Sequence, residues 1–355
     1  MSRKIKVLIV DDSVSVRNTL TQILNQDSEI EVIGSASDPY EAVKKIAENL
    51  PDVITLDIEM PRMDGLTFLG KLMKQHPIPV VVISSVAGEG SDKGIRALKL
   101  GAREIITKPR LSNPELLEEY KIRITDAIKA SVLTERIRIK PVKPQENEKI
   151  TLNHSDKFTS SGQYPSIYSE KIILIGASTG GTDVIFKILK NLRTDLPGIL
   201  IVQHMPGEFT KAFANRLNLE CKLHVKEAEQ DDIIQHGYAY IANGFNHLQL
   251  VSENGLYKCK LEMGPLINRH RPSVDVLFRS ASKFPAKNIT AILLTGMGAD
   301  GANGMLELYN AGVMTFAQDE KSAVIFGMPK EAIKLNAAKM IGNPEELVNW
   351  LNTTF

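Results

Sequence analysis

The sequence predicts two α/β domains in series: a five-stranded, doubly wound domain, a linker, and a larger α/β domain with a mostly parallel sheet and a β-hairpin insert. Three observations predict this. The chain has 355 residues, more than one ordinary core accommodates. Short runs rich in Val and Ile alternate with amphipathic segments of helical period, once before residue 130 and again after residue 169. Between the two series, 138–170 is polar, holds three prolines and keeps no period, the composition of a linker. The boundaries read as 1–130, 131–168 and 169–355.

In the first series KVLIV, EVIGSA, DVITLD, PVVVISS and EIITK read as strands bounded by turns. Helical spacing occupies 14–26, 39–50, 65–76, 91–100 and 114–130, and Pro39 and Pro114 fall where a first helical turn tolerates proline. Five such units give a parallel sheet covered on both faces. In the second series KIILIGAS, GILIVQHM, CKLHVKEA and AILLTGM read as strands, with helices near 181–192, 209–219, 273–283, 302–311 and 329–338. The segment 236–262 differs. Its runs YAYIANGFNHLQLV and LYKCKLE, with Asn254-Gly255 between the last two, predict the hairpin insert.

Composition narrows the function. Apolar residues make up 43% and charged residues 24%, as in a soluble globular protein. The 43 Lys and Arg balance 42 Asp and Glu, and the balance holds in each half, with 17 basic and 18 acidic residues in the first 125. No half has the basic surplus of a nucleic-acid-binding output domain. Cys221 and Cys259 are too few for a disulfide framework, so a reducing cytoplasm is expected. The apolar run Ile5–Val10 is broken by Lys6 and followed by Asp11 and Asp12, which predicts a buried strand rather than a signal peptide. No apolar run approaches the eighteen or so residues of a membrane span, so no membrane insertion is expected.

Ligands of open α/β sheets collect at the C-terminal edge of the strands. In the first domain Asp11 and Asp12 end strand 1, Asp57 ends strand 3, Ser84 and Ser85 end strand 4, and Lys108-Pro109 ends strand 5. Any one aspartate at a strand end is ordinary turn or cap chemistry. The full set is another matter: three converging carboxylates repel one another without a cation, and hard oxygen ligands suit Mg2+. With a metal there, Asp57 can attack a phosphoryl group, Lys108 can pair with the phosphate, and Ser84 can donate to it.

In the second domain Gly176-Ala177-Ser178-Thr179-Gly180 fits G-x-S-x-G between an apolar strand and a helix. A tight strand-to-helix turn with small neighbours projects a nucleophilic hydroxyl, and amides at the helix start can stabilise a negative oxygen. A glycine-rich loop for a phosphate or dinucleotide is the alternative reading of the same motif. Of the seven histidines, His204 alone ends the next strand, GILIVQH, and so should reach the edge that carries Ser178. His76 and His154 lie in the first domain and the linker. His224, His236, His247 and His270 read as structural. Asp300, after AILLTGMG, is the first choice for the orienting acid, with Asp275 of RHRPSVDVL the second.

Two resemblances cover almost the whole chain. Residues 4–125 resemble the receiver domain of bacterial response regulators, which is flavodoxin-like, through IVDDS, TLDIEMPRMDG, the ISS of 83–85, and TKP. This implies metal ligation by Asp11, Asp12 and Asp57, phosphorylation at Asp57 with Mg2+, and switch roles for Ser84 and Lys108. Receivers often carry an aromatic residue three positions before the lysine, and Ile105 stands there instead. Residues 170–340 resemble the catalytic domain of the chemotaxis protein-glutamate methylesterases (CheB) through IGASTGGT, VQHMP, YIANGFNHL, RHRPSVDVLF and LLTGMGADGANGM. This implies a Ser178, His204, Asp300 triad, Thr179 beside the imidazole, and the Met297 backbone in the oxyanion hole.

The same resemblance implies the biology: hydrolysis of glutamate methyl esters on methyl-accepting chemotaxis receptors, deamidation of receptor glutamines, the histidine kinase CheA as phosphodonor, and no cofactor for the hydrolase step. The unphosphorylated first domain is expected to lie over the hydrolase cleft. Two other classes remain open at this point, a phosphorylation-controlled nucleotide-binding module and a regulator with a nucleic-acid output.

Overall fold

The computed structural model describes residues 3–84, 89–108, 114–133 and 168–355. Ser85, Pro109, His154 and most of the 131–168 linker fall outside the described residues.

The N-terminal domain alternates as expected. Its elements are β1 (Ile5–Val10), α1 (Val14–Leu24), β2 (Ile30–Ala36), α2 (Pro39–Glu48), β3 (Val53–Asp57), α3 (Gly65–Gln75), β4 (Val80–Ser84), α4 (Glu89–Lys99), β5 (Glu104–Thr107) and α5 (Pro114–Leu133). The strands pair in parallel in the order β2-β1-β3-β4-β5. The inner strands β3 and β4 are buried along their whole length, which is why they read as unbroken apolar runs. Helix starts carry the caps that satisfy orphan amides: Asp38 accepts from the Tyr40 and Glu41 amides, and Asp64 from Thr67.

The C-terminal domain continues with β6 (Ile172–Ala177), α6 (Gly181–Asn191), β7 (Gly198–Gln203), α7 (Gly207–Glu220), β8 (His224–Glu227), β9 (Tyr238–Ile241), β10 (His247–Glu253), β11 (Leu256–Glu262) and α8 (Val274–Ala281). It closes with β12 (Ile289–Leu293), α9 (Ala302–Asn310), β13 (Met314–Gln318), α10 (Met328–Lys334), β14 (Met340–Gly342) and α11 (Pro344–Thr354). Seven strands form one parallel sheet in the order β14-β13-β12-β6-β7-β9-β8. The chain winds from β6 outward through β7, then returns to β12 on the other side. The switch point therefore lies at the C-terminal ends of β6, β7 and β12.

Two expectations change. Tyr238–Ile241 belongs to the main sheet, wedged between β7 and β8, and only β10 and β11 form the hairpin. The hairpin lays Leu248, Leu250 and Cys259 into the core that holds α8 residues Leu277 and Phe278. β13 and β14, on either side of α10, extend the sheet beyond the strands that the spacing announced, and α11 follows them.

The two domains share one apolar core. Ala97 and Ile105 of the first domain belong to the same buried cluster as Met205, Phe209 and Phe213 of the second. Helix α4 lies against α7 so closely that a Cβ on Gly94 would meet Phe209 Cε1 at 2.6 Å. At the rim, Lys99 Nζ pairs with Glu220 at 2.8 Å.

Candidate active site and candidate phosphorylation site

At the N-terminal sheet edge, Asp11, Asp12 and Asp57 bring carboxylate oxygens within 4.8 Å of one another. Lys108 Nζ lies 2.7 Å from Asp57 Oδ2 and 3.0 Å from Asp11 Oδ2. Asp11 Oδ2 is buried and accepts no directed hydrogen bond. Burial raises the Asp57 carboxyl to about 6, against the opposing pull of Lys108 and with a push from Asp11. This donor set, three hard oxygens with one left unsatisfied, fits a divalent cation such as Mg2+. Ser84 is buried at the end of β4, and its carbonyl accepts the Lys108 amide at 2.9 Å. Ile105, where an aromatic residue was the family expectation, is buried against the second domain.

At the second edge β6 delivers Ser178, β7 delivers His204, and the turn after β12 delivers Asp300, all three buried. The Ser178 amide donates to Thr295 O at 2.9 Å, and Gln203 Nε2 donates to Ser178 O at 2.9 Å, so the turn is pinned from both neighbouring strands. Gly180 sits at φ +79°, and a Cβ there would lie 2.4 Å from Val324. That position of the motif thus needs glycine for both conformation and space.

His204 Nε2 stands 2.9 Å from Asp300 Oδ2. Since the carboxylate can only accept, Nε2 carries the proton and Nδ1 keeps its lone pair. Nδ1 is buried with no hydrogen-bond partner. Asp300 also accepts from Ser273 Oγ at 2.7 Å, Asn268 Nδ2 at 2.8 Å and the Val274 amide at 2.7 Å, so it sits on the N-terminus of α8. Burial alone pushes this carboxyl up, and the bonds from His204, Asn268 and Ser273 more than reverse it, so the group stays ionised. Asp275 is oriented elsewhere: it accepts from the Gly304 amide at 2.7 Å and from Asn268 at 2.7 Å, and not from His204.

His270, expected to be merely structural, lies face to face with His204, ring centroids 3.8 Å apart and planes 16° from parallel. Burial, then the neighbouring imidazole, holds its pKa far below the usual histidine range, so it stays neutral. Its signal in the sequence was RHRPS, the segment that also brings Ser273 to Asp300. Gly296, the residue before Met297, approaches the nucleophile so closely that a Cβ on it would lie 2.7 Å from Ser178 Cβ. Among the described residues, the Met297 and Thr179 amides donate to no protein acceptor. The Thr179 hydroxyl does not bond the imidazole. It donates to Glu104 Oε2, on β5 of the other domain, at 2.8 Å.

Ser178, Thr179, His204 and Met205 share one narrow cleft with Leu98, Glu104 and Ile105 of the first domain. The N-terminal domain therefore covers the second site directly. Helix α5 approaches the same region from beside it, where Arg269 lowers the burial-raised pKa of Asp126.

Known proteins agree with this organisation. The receiver-domain profile of response regulators matches residues 7–121, and the profile of the CheB methylesterase family matches residues 173–351. A protein-glutamate methylesterase/protein-glutamine glutaminase of Oleidesulfovibrio alaskensis is 48% identical over 343 residues, 96% of each chain. Another, of the group 3 operon of Rhodopseudomonas palustris, is 49% identical and covers 98% of this chain and 96% of its own. The solved catalytic domain of the Thermotoga maritima CheB methylesterase superposes with a TM-score of 0.51 at 37% identity, covering 52% of this chain and 98% of that one. The chain belongs to the protein-glutamate methylesterase/protein-glutamine glutaminase family, a response-regulator receiver joined to a CheB methylesterase domain.

Proposed function

We propose that the protein demethylates glutamate methyl esters, and deamidates glutamines, on chemoreceptors, and that phosphorylation of Asp57 releases this activity. One observation carries the hydrolase reading: an imidazole bound to a carboxylate through Nε2, with its buried Nδ1 left unpaired at the edge that carries Ser178. His204 Nδ1 takes the Ser178 proton as Oγ bonds to the ester carbonyl carbon. The Thr179 and Met297 amides receive the oxyanion, and Asp300 stabilises the imidazolium through Nε2. As the carbon–methoxy bond breaks, Nδ1 returns the proton to methanol. Water, deprotonated by the same nitrogen, then frees the glutamate carboxylate and restores Ser178. An amide follows the same path and releases ammonia.

At the other edge Asp11, Asp12 and Asp57 would hold Mg2+, which when bound neutralises charge on the incoming phosphoryl group. Asp57 is the acceptor, Lys108 the cation that meets the new phosphate, and Ser84 a hydroxyl donor, with a histidine kinase of the CheA type as donor. The shared cleft supports inhibition by coverage before phosphorylation. Two free cysteines fit a cytoplasmic setting, and among the described residues no helix is long and apolar enough to cross a membrane. The test is methanol release from methylated receptor membranes, with and without a phosphodonor. Ser178→Ala or His204→Ala should lose on the order of 10⁴- to 10⁶-fold. A Ser178→Ala protein keeping a tenth of wild-type release overturns the assignment.

A further inference from the structure

The contact between Glu104 and Thr179 is unlike the other polar contacts of the domain interface, because it is made inside the cleft. Ion pairs at the rim, as between Lys99 and Glu220, hold surfaces together with little desolvation. Glu104 instead brings a half-buried carboxyl into the cleft that Ser178 lines and gives it a hydroxyl donor at 2.8 Å. Within the docked state the pairing matters to both partners, because Thr179 is buried and would otherwise stand without an acceptor. Burial pushes this carboxyl up to about 7, against the Thr179 bond and the charge of Arg123 on α5, with Asp126 of the same helix pushing the same way as burial. Groups held at such a cost mark functional positions.

Chemical identity supplies the rest. The reaction assigned above turns a glutamate ester or glutamine amide into a glutamate carboxyl next to Ser178, and here a glutamate carboxyl stands in the cleft lined by Ser178 and His204. We propose that Thr179 Oγ1 is the donor that holds the glutamyl head of the substrate, and that Glu104 occupies this position in the docked state as an intramolecular product mimic. Inhibition is then competition for one hydrogen-bonding position, not only coverage. This rests on the methylesterase reading.

The experiment uses the full-length protein. Glu104→Leu keeps side-chain bulk and removes the acceptor. Without phosphodonor it should raise both methanol release and the rate at which a fluorophosphonate labels Ser178 by about tenfold, because the buried Thr179 hydroxyl loses its acceptor. Wild-type levels of both overturn the mimicry, and a rise in both is decided between mimicry and a plain interface contact by the KM measured next. Thr179→Val is assayed with phosphodonor. It should raise KM for methylated receptor about tenfold with kcat within about twofold. An unchanged KM reduces Thr179 to an interface contact and also overturns the proposal. If wild-type protein labels with fluorophosphonate but releases no methanol, the substrate reading fails instead, and the Glu104→Leu labelling rate still decides whether the carboxyl competes for the cleft.

Discussion

The two sheet edges solve opposite electrostatic problems on similar scaffolds. At the receiver edge three carboxylates face one lysine, and the site is left with an oxygen unsatisfied and an Asp57 acidity weakened by burial. It is a charge deficit that needs a cation. At the hydrolase edge one carboxylate is held by five donors, among them two backbone amides at the start of α8, and the unsatisfied atom is a neutral ring nitrogen. That site is charge-complete before any ligand arrives. The difference teaches which edge can be switched: a deficit responds to metal and phosphate, whereas a satisfied constellation responds only to being covered or uncovered.

Breaking the satisfied edge should have the largest effect. Asp300→Asn keeps the shape but can present an amide N–H to Nε2, favouring the wrong tautomer. Turnover with phosphodonor should fall about 10³- to 10⁴-fold. If Asp300→Asn were harmless while Asp275→Asn were not, the acid would be the one bonded to Gly304. Next comes the stacked pair. His270→Ala should leave His204 free to tilt and lower kcat/KM about ten- to a hundredfold. His270→Phe restores a flat apolar ring and should stay within about threefold of wild type. Equal losses in both would mean that a nitrogen of His270 is used.

The covering contact is tested more gently. Gly94→Leu drives a side chain into Phe209, so docking weakens, and release without phosphodonor should rise several-fold while phosphorylated activity stays constant. No change would show that α4 and α7 can part without uncovering Ser178. The smallest effect belongs to the charge deficit. The folded-state pKa of Asp57 lies above its unfolded value, so its stabilising contribution is present below about pH 4 and is lost as pH rises through about 6. Asp57→Asn, or added Mg2+, should therefore raise Tm by a few degrees at pH 8 and much less at pH 4.5. Equal shifts at both values would contradict the burial argument.

Strand runs and helix periods disclosed the first domain almost residue for residue, because its inner strands are covered on both faces and read as plain apolar runs. Ser178, His204 and Asp300 could be picked out for a related reason: each follows an apolar run that ends at the same sheet edge. β9 was misplaced because YAYI, alternating and followed by turn residues, looks like the start of a hairpin, and only the space left between β7 and β8 decides its pairing. His270 and Asn268 were not legible, since they sit in a loop whose path, with positive φ at Asn268 and Arg269, no periodicity encodes. Glu104 opens an ordinary-looking strand, and nothing local announces that another domain lies against it.

Strand β5 has a further consequence. It is four residues long, about 13 Å, with Lys108 just past one end bonded to Asp57 and Glu104 at the other bonded to Thr179. Whatever moves this short rod is felt at both ends, and coupling between two binding events is reciprocal. A receptor side chain that takes Thr179 from Glu104 must therefore favour the phosphorylated receiver by the same factor that phosphorylation favours the receptor. An enzyme engaged on its substrate would then favour the phosphorylated arrangement of its receiver more than an idle one, so the balance between the two arrangements would carry a record of how much methylated receptor remains.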